Sequence, residues 1–167
     1  MTSKHTAGEI TRTHVDAITE FLEGERISYE LVEHEPVMSA AAEAGAAHVP
    51  PDQVAKTVVL HDGSAYEIAA IPASERLDLH KLRNVLGASR RLQLASEDQI
   101  ARDFPTLEVG AAPPFGPMVP AAAVIDRALL DQERILCPAG DHRHSVLVDP
   151  RDIIRATAAR AARICQD

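Results

Sequence analysis

A chain of 167 residues, 46% of them hydrophobic, suits one domain with short tails and can bury a core without disulfide bonds. Its formal net charge is −8, from 25 acidic and 17 basic side chains, and its aromatics are three Phe, two Tyr and no Trp. That composition argues against a broad phosphate-gripping or base-stacking surface, but leaves room for a pocket that takes only the end of a nucleic acid.

In chain order, Val15, Ile18, Phe21 and Leu22 recur at helical spacing and predict an amphipathic helix over 13–23, ended at Gly24. Residues 27–32 read as a first strand, followed by a turn at His34-Glu35-Pro36. The alanine-rich segment 39–47 predicts a helix, since Ala is the best helix former and Ser39 can cap its first turn; Pro50-Pro51 is expected to stop it. Apolar runs over 56–61 and 65–71 flank Asp62-Gly63 and predict a β-hairpin. A helix over 77–86 follows, with Asp78 as cap and Gly87 just past its end. Residues 91–94 read as a short strand, and Ser96 with Gln99 has the spacing of a capping box opening another helix.

Five prolines and two glycines make 105–120 the loop-rich centre. Strands are predicted over 119–125, 135–137 and 145–148, and Asp149-Pro150 opens a last helix that runs into the tail. Helices and strands alternate irregularly and include hairpins, which favours an α+β domain with a mixed sheet over a doubly wound one. The polar start, the lack of an apolar run of bilayer length, and two isolated cysteines, Cys137 and Cys165, are read as a cytoplasmic chain with reduced thiols and no membrane partner.

Three features carry chemistry. Lys56 opens an apolar strand, where a cationic head reaches the rim of a pocket or simply stands exposed. Gly110, Pro114, Phe115 and Gly116 lie in a glycine- and proline-rich loop that either brings backbone close to a ligand at low ordering cost or is an ordinary turn. Asp141, His142 and His144 form a compact cluster. Two imidazoles two apart beside a carboxylate suit a metal, but no third ligand is evident, so no cofactor is expected. Between residues 75 and 91, Arg76, Lys81, Arg83, Arg90 and Arg91 outnumber Glu75 and Asp78, against the sign of the whole chain. That strip is either an ordinary helix surface or a place where a phosphate backbone is met.

The order of Val54-Ala55-Lys56-Thr57-Val58-Val59-Leu60, Leu77-Asp78-Leu79, the arginine-led strand after Gly87 and the loop Gly110-Ala111-Ala112-Pro113-Pro114-Phe115-Gly116 resembles the YbaK/prolyl-tRNA synthetase-associated domain family over about residues 12–158. The resemblance implies a curved mixed β-sheet or partial barrel surrounded by helices, between a polar tail over 1–11 and the end of a C-terminal helix over 159–167. It implies a free-standing hydrolase that cleaves the ester between a wrong amino acid and the acceptor end of tRNA, with a synthetase as a further partner and DNA as none. A non-catalytic module that binds the aminoacyl end is the alternative. Lys56 matches the family's functional lysine, and Gly110 and Pro114 its G-x-x-x-P loop, with Phe115-Gly116 continuing it. His34 matches a histidine often found after the first strand, where it would contact the adenosine or acyl group. Asp141 would line the pocket or merely shape a hairpin turn. Arg143 and His144 depart from the small residues usual in that turn. No covalent nucleophile is expected: there is no G-x-S-x-G, and neither cysteine sits in a motif.

Overall fold

In the computed structural model, which describes residues 14–116 and 123–167, the chain begins with α1 (His14–Gly24). The tail expected over 1–11, and the first part of the strand expected over 119–125, lie outside the described residues. Val15, Ile18 and Leu22 share one face of α1 and are buried in the main core, as their spacing requires. There follow β1 (Tyr29–Glu33) and α2 (Ala40–Ala47), then a 3-10 turn (Pro51–Gln53) and the hairpin strands β2 (Ala55–His61) and β3 (Tyr66–Pro72). The middle of the chain holds α3 (Leu79–Leu86), β4 (Gln93–Leu94) and α4 (Glu97–Asp103). The rest is β5 (Ala123–Asp126), α5 (Arg127–Leu130), β6 (Ile135–Pro138), β7 (His144–Val148), α6 (Pro150–Ala156) and β8 (Arg160–Ala162).

The strands form two sheets. One is three-stranded and antiparallel, in the order β1-β7-β6; the other has five strands in the order β4-β2-β3-β5-β8. Within the second sheet β4, β2 and β3 are antiparallel neighbours, while β5 joins β3 and β8 joins β5 in parallel. A parallel bridge between Val54 and Leu136 ties the two sheets where β2 begins. The result is the expected α+β fold with a mixed sheet that does not close.

Local chemistry sets the ends of the elements. Ser39 Oγ accepts from Ala42 N at 3.1 Å, and Asp78 accepts from Lys81 N at 3.0 Å. Both halves of the Ser96/Gln99 capping box are present. Asp62 Oδ1 accepts from the N–H groups of Ser64 and Ala65, each at 2.8 Å, and Gly63 takes φ 101° to close the hairpin. The end of α2 differs from expectation. His48, in the left-handed region at φ 58°, terminates the helix, and Pro50-Pro51 instead leads into the 3-10 turn.

The segment 159–167 is a correction. The last helix stops at Ala156, where the Thr157 hydroxyl donates to Ile153 O at 2.7 Å and accepts from Ala159 N at 3.1 Å. The chain then adds β8 to the edge of β5, buries Ile164 and bridges Cys165 to Leu77. Pairing an otherwise open strand edge and burying an isoleucine outweigh the helical propensity of the alanines.

Candidate active site

Lys56 is the second residue of β2, opposite Ile71 of β3. Strand alternation buries Ala55 and leaves Lys56 half-buried at the sheet's edge of exposure. Its Nζ donates to the carbonyl of Glu75 at 3.3 Å, which draws the ammonium toward the turn after β3. There it borders a cleft of 490 Å³. Val58, Ile71, Leu77 and Leu94 make the cleft largely apolar, Arg76 adds a second cation, and Gly110 and Ala112 bring backbone to it. Leu94 is 62% exposed, so the apolar lining opens to solvent. Such an arrangement, with few polar groups on an apolar wall, is what a small-ligand site requires.

The loop 110–116 is divided by the fold. Gly110 and Ala112 line the cleft, whereas Phe115 is buried and stacks on Phe21 of α1 with ring centroids 5.9 Å apart. A Cβ on Gly116 would come within 3.2 Å of Ile18 Cδ1. Pro114 is buried, and neither it, Phe115 nor Gly116 is among the residues lining the cleft. Phe115 and Gly116 anchor the loop to α1, so that its first half is held at the cleft.

Gly110 also borders a second, far smaller cavity of about 10 Å³, shared with His34, Glu43, Asp141, His142 and Ser145. The structure therefore places His34 and Asp141 beside Gly110 in this cavity and not among the residues lining the Lys56 cleft. Asp141 Oδ1 accepts from the N–H groups of Arg143 and His144, each at 2.8 Å, and its Oδ2 lies 2.9 Å from His144 Nδ1. Burial pushes this carboxyl up, but the Arg143 and His144 contacts together hold it below its ordinary value. His142 sits in the turn before β7 and His144 is the first residue of the strand, so the two imidazoles do not alternate along one strand face. Among the described residues no group of three His, Cys, Asp or Glu is placed to hold a metal ion.

Both ring nitrogens of His34 are engaged within the protein: Nδ1 lies 2.9 Å from Glu35 O, and Nε2 lies 2.8 Å from Ser145 Oγ. Ser145 Oγ in turn contacts Glu43 Oε2. Glu43 is only 5% exposed, and burial pushes its carboxyl up to about 7, partly opposed by the Ser145 contact. Sequence reasoning missed Glu43 and Ser145, although one signal existed: Glu43 is the sole charge in the segment Ala40–Ala47. It also missed Thr57, beside Lys56, whose buried Oγ1 has no hydrogen-bond partner under the cleft wall. Neither cysteine is set up as a nucleophile. Burial pushes the Cys137 thiol well up, and burial with Asp126 nearby pushes Cys165 up to about 12.

In a larger groove of 640 Å³ that includes Glu75, three of the lining charges, Lys81, Asp126 and Asp167, already have partners. Lys81 Nζ donates to Cys165 O and Asp167, each at 2.9 Å, and Asp126 accepts from Ala128 N and Ile164 N. Those groups build the fold, and the smaller cleft is the better candidate.

Known proteins agree with this fold. A family model described as the aminoacyl-tRNA editing domain matches residues 34–156. The prolyl-tRNA editing protein ProX of Acetoanaerobium sticklandii is 26% identical over 140 residues, covering 80% of this chain and 84% of that protein. The crystal structure of a candidate trans-editing enzyme for prolyl tRNA synthetase superposes with a TM-score of 0.80 at 20% identity, over 94% of this chain and 99% of that one. A candidate signal transduction protein from Marinobacter aquaeolei VT8 shares the fold at a TM-score of 0.68 and 15% identity, over 90% of this chain but 30% of its own.

Proposed function

From the premise that this chain belongs to the aminoacyl-tRNA editing domain family, we propose that it is a free-standing deacylase that hydrolyses the ester of mischarged tRNA in trans. The observation that carries the reading is the 490 Å³ cleft lined by Lys56 together with Gly110 and Ala112. A synthetase pocket rejects a competitor smaller by one methylene by only about 1–3 kcal/mol, so a second, hydrolytic site is needed for fidelity. An aminoacyl ester is already activated, and its hydrolysis asks mainly for a held acyl group, an oriented water and stabilised negative charge.

In this reading Lys56 and Arg76 supply positive charge for the terminal phosphate and for the oxyanion that forms when water adds to the carbonyl. The Ala111 N–H is committed to Glu108 O at 3.0 Å, so the backbone donors that meet the acyl oxygen belong to Gly110 and Ala112. The neighbouring ribose hydroxyl of the substrate assists the water, and the ribose oxygen leaves with the ester's electron pair. The apolar walls at Val58, Leu77 and Leu94 favour a small uncharged amino acid such as alanine, cysteine or serine. By likeness to ProX and the trans-editing neighbour, the carrier in this reading is tRNA for proline and the partner its synthetase; the setting in this reading is the cytoplasm. DNA is not a substrate in this reading.

Single-turnover deacylation of tRNA charged with each of these amino acids, by the native protein and Lys56→Ala, tests it. Hydrolysis of at least one mischarged tRNA, lost in the variant, is expected. Binding without hydrolysis across the panel would establish the non-catalytic module instead.

A further inference from the structure

Hydrogen-bond accounting in the small cavity leads beyond the cleft. The chain of contacts runs from Glu35 O to His34 Nδ1, from His34 Nε2 to Ser145 Oγ, and from Ser145 Oγ to Glu43 Oε2. A carbonyl only accepts, so Nδ1 must carry a proton. Ser145 has one proton to give, yet its oxygen sits between two further partners. When the Ser145 hydroxyl spends its own proton on one of these two contacts, both are hydrogen bonds in just two arrangements. In one, the Glu43 carboxyl donates to Oγ and the Ser145 hydroxyl donates to Nε2. In the other, Nε2–H donates to Oγ and the hydroxyl donates to the Glu43 carboxylate. The two contain the same number of protons and differ by the shift of two protons along the chain. Taking one proton away leaves one contact as a lone pair against a lone pair, in a place where Ser145 is fully buried.

We infer that Glu43, Ser145 and His34 form one proton-sharing unit, in which Glu43 and Ser145 are positioning residues that hold His34 neutral with its proton on Nδ1. The neutral arrangement is favoured because it places no charge in the buried pocket. Its structural consequence lies at Gly110. His34 N donates to Arg143 O at 2.9 Å and Val37 N to His142 O at 3.0 Å, so the segment after β1 is paired with the turn before β7. Gly110 rests on both: a Cβ there would lie 3.7 Å from His142 Cε1 and 3.8 Å from Met38 O. The proton on Glu43 thus helps to clamp the two segments against which the cleft's backbone wall is set. The other titratable groups facing the unit are Asp141 and His142 from the turn, His144 at the start of β7, Cys137 from β6, and Glu33 and Glu35 beside His34.

The test of the unit needs no substrate, and only its effect on catalysis rests on the deacylase reading. Nitrogen-15 spectra of the imidazoles report tautomer and charge directly, and His34→Gln identifies the His34 signals among those of the eight histidines. While Glu43 keeps its proton, the native protein is expected to show the His34 proton on Nδ1 with Nε2 accepting from Ser145. A transition is expected as pH rises through about 7, where Glu43 loses its proton. In Glu43→Gln the amide N–H takes the place of the carboxyl O–H, so the same tautomer should persist to a pH of about 8.5 without that transition. The pH profile of single-turnover deacylation should lose the limb near 7 in the same variant. A native protein whose His34 carries its proton on Nε2 just below the Glu43 transition overturns the inference; so does a Glu43→Gln variant that keeps the native transition. If the spectra behave as expected but no mischarged tRNA is hydrolysed, the unit stands and the deacylase reading falls.

Discussion

Lys56 and Glu43 show how differently two charged residues contribute to the same region. The Lys56 ammonium is half-buried and has one backbone carbonyl for a partner, so its removal should change stability by only about 0.5–1 kcal/mol. Beside a developing oxyanion the same charge is worth about 3–4 kcal/mol, or roughly 10²–10³ in rate. Urea unfolding and single-turnover deacylation on one preparation of Lys56→Ala should therefore separate, with activity lost and the fold retained. A parallel loss of both would make Lys56 structural. Glu43 works in the opposite direction. Its carboxyl moves from 4.5 to about 7 on folding, so the folded state keeps a proton that the unfolded chain gives up. The stability this residue contributes is complete below 4.5 and is lost as pH rises to about 7, a change of about 3 kcal/mol at most. Glu43→Gln cannot titrate. Its unfolding free energy relative to the native protein should rise across that window and then level off. Groups such as Asp62, held at about 2 by the N–H groups of its turn, are common to both proteins and cancel in the difference.

The elements explain why the loop after α4 meets the cleft with only its first half. Glu108 N donates to Gly140 O and Gly140 N to Ala111 O, each at 2.9 Å, which ties the loop to the turn before β7. Phe115 and Gly116 tie its other end to α1. Between these anchors Gly110 adopts φ 88°, a conformation that side chains rarely take, although its surroundings offer only ordinary contacts. Gly110→Ala should therefore cost about 1–3 kcal/mol through backbone strain alone. If its backbone meets the ester, deacylation measured where both proteins are fully folded should fall further than that strain explains. An unchanged rate would show that the loop is scaffolding. The short-range features around these elements were legible in the sequence: Ser39, Asp78 and Ser96 as caps, Asp62-Gly63 as the hairpin turn. Each needs a partner only two or three residues away.

For the molecule as a whole, charge limits how nucleic acid can be met. Of the five cations between residues 75 and 91, Lys81 is held by Asp167 and Cys165 O, and Arg83 donates to the Leu92 and Arg90 carbonyls. Arg76, Arg90 and Arg91 remain exposed, and only Arg76 lines the cleft. With a net charge of −8 and so few cations available, tRNA binding should show a log–log salt slope of about −1 to −3. A steeper slope in a titration would reveal a broad basic footprint. The sequence by itself determined most of the elements up to the last helix, several of their caps, the family pattern and the candidacy of Lys56, because periodicity, capping and motif spacing are properties of neighbouring residues. Tertiary structure alone decided the rest. It brought Ser145 to Glu43 and His34 across 102 and 111 residues, set Phe115 and Gly116 against α1, and turned the expected C-terminal tail into β8. Those meetings depend on strand order and register, which arise only when distant apolar faces are buried together.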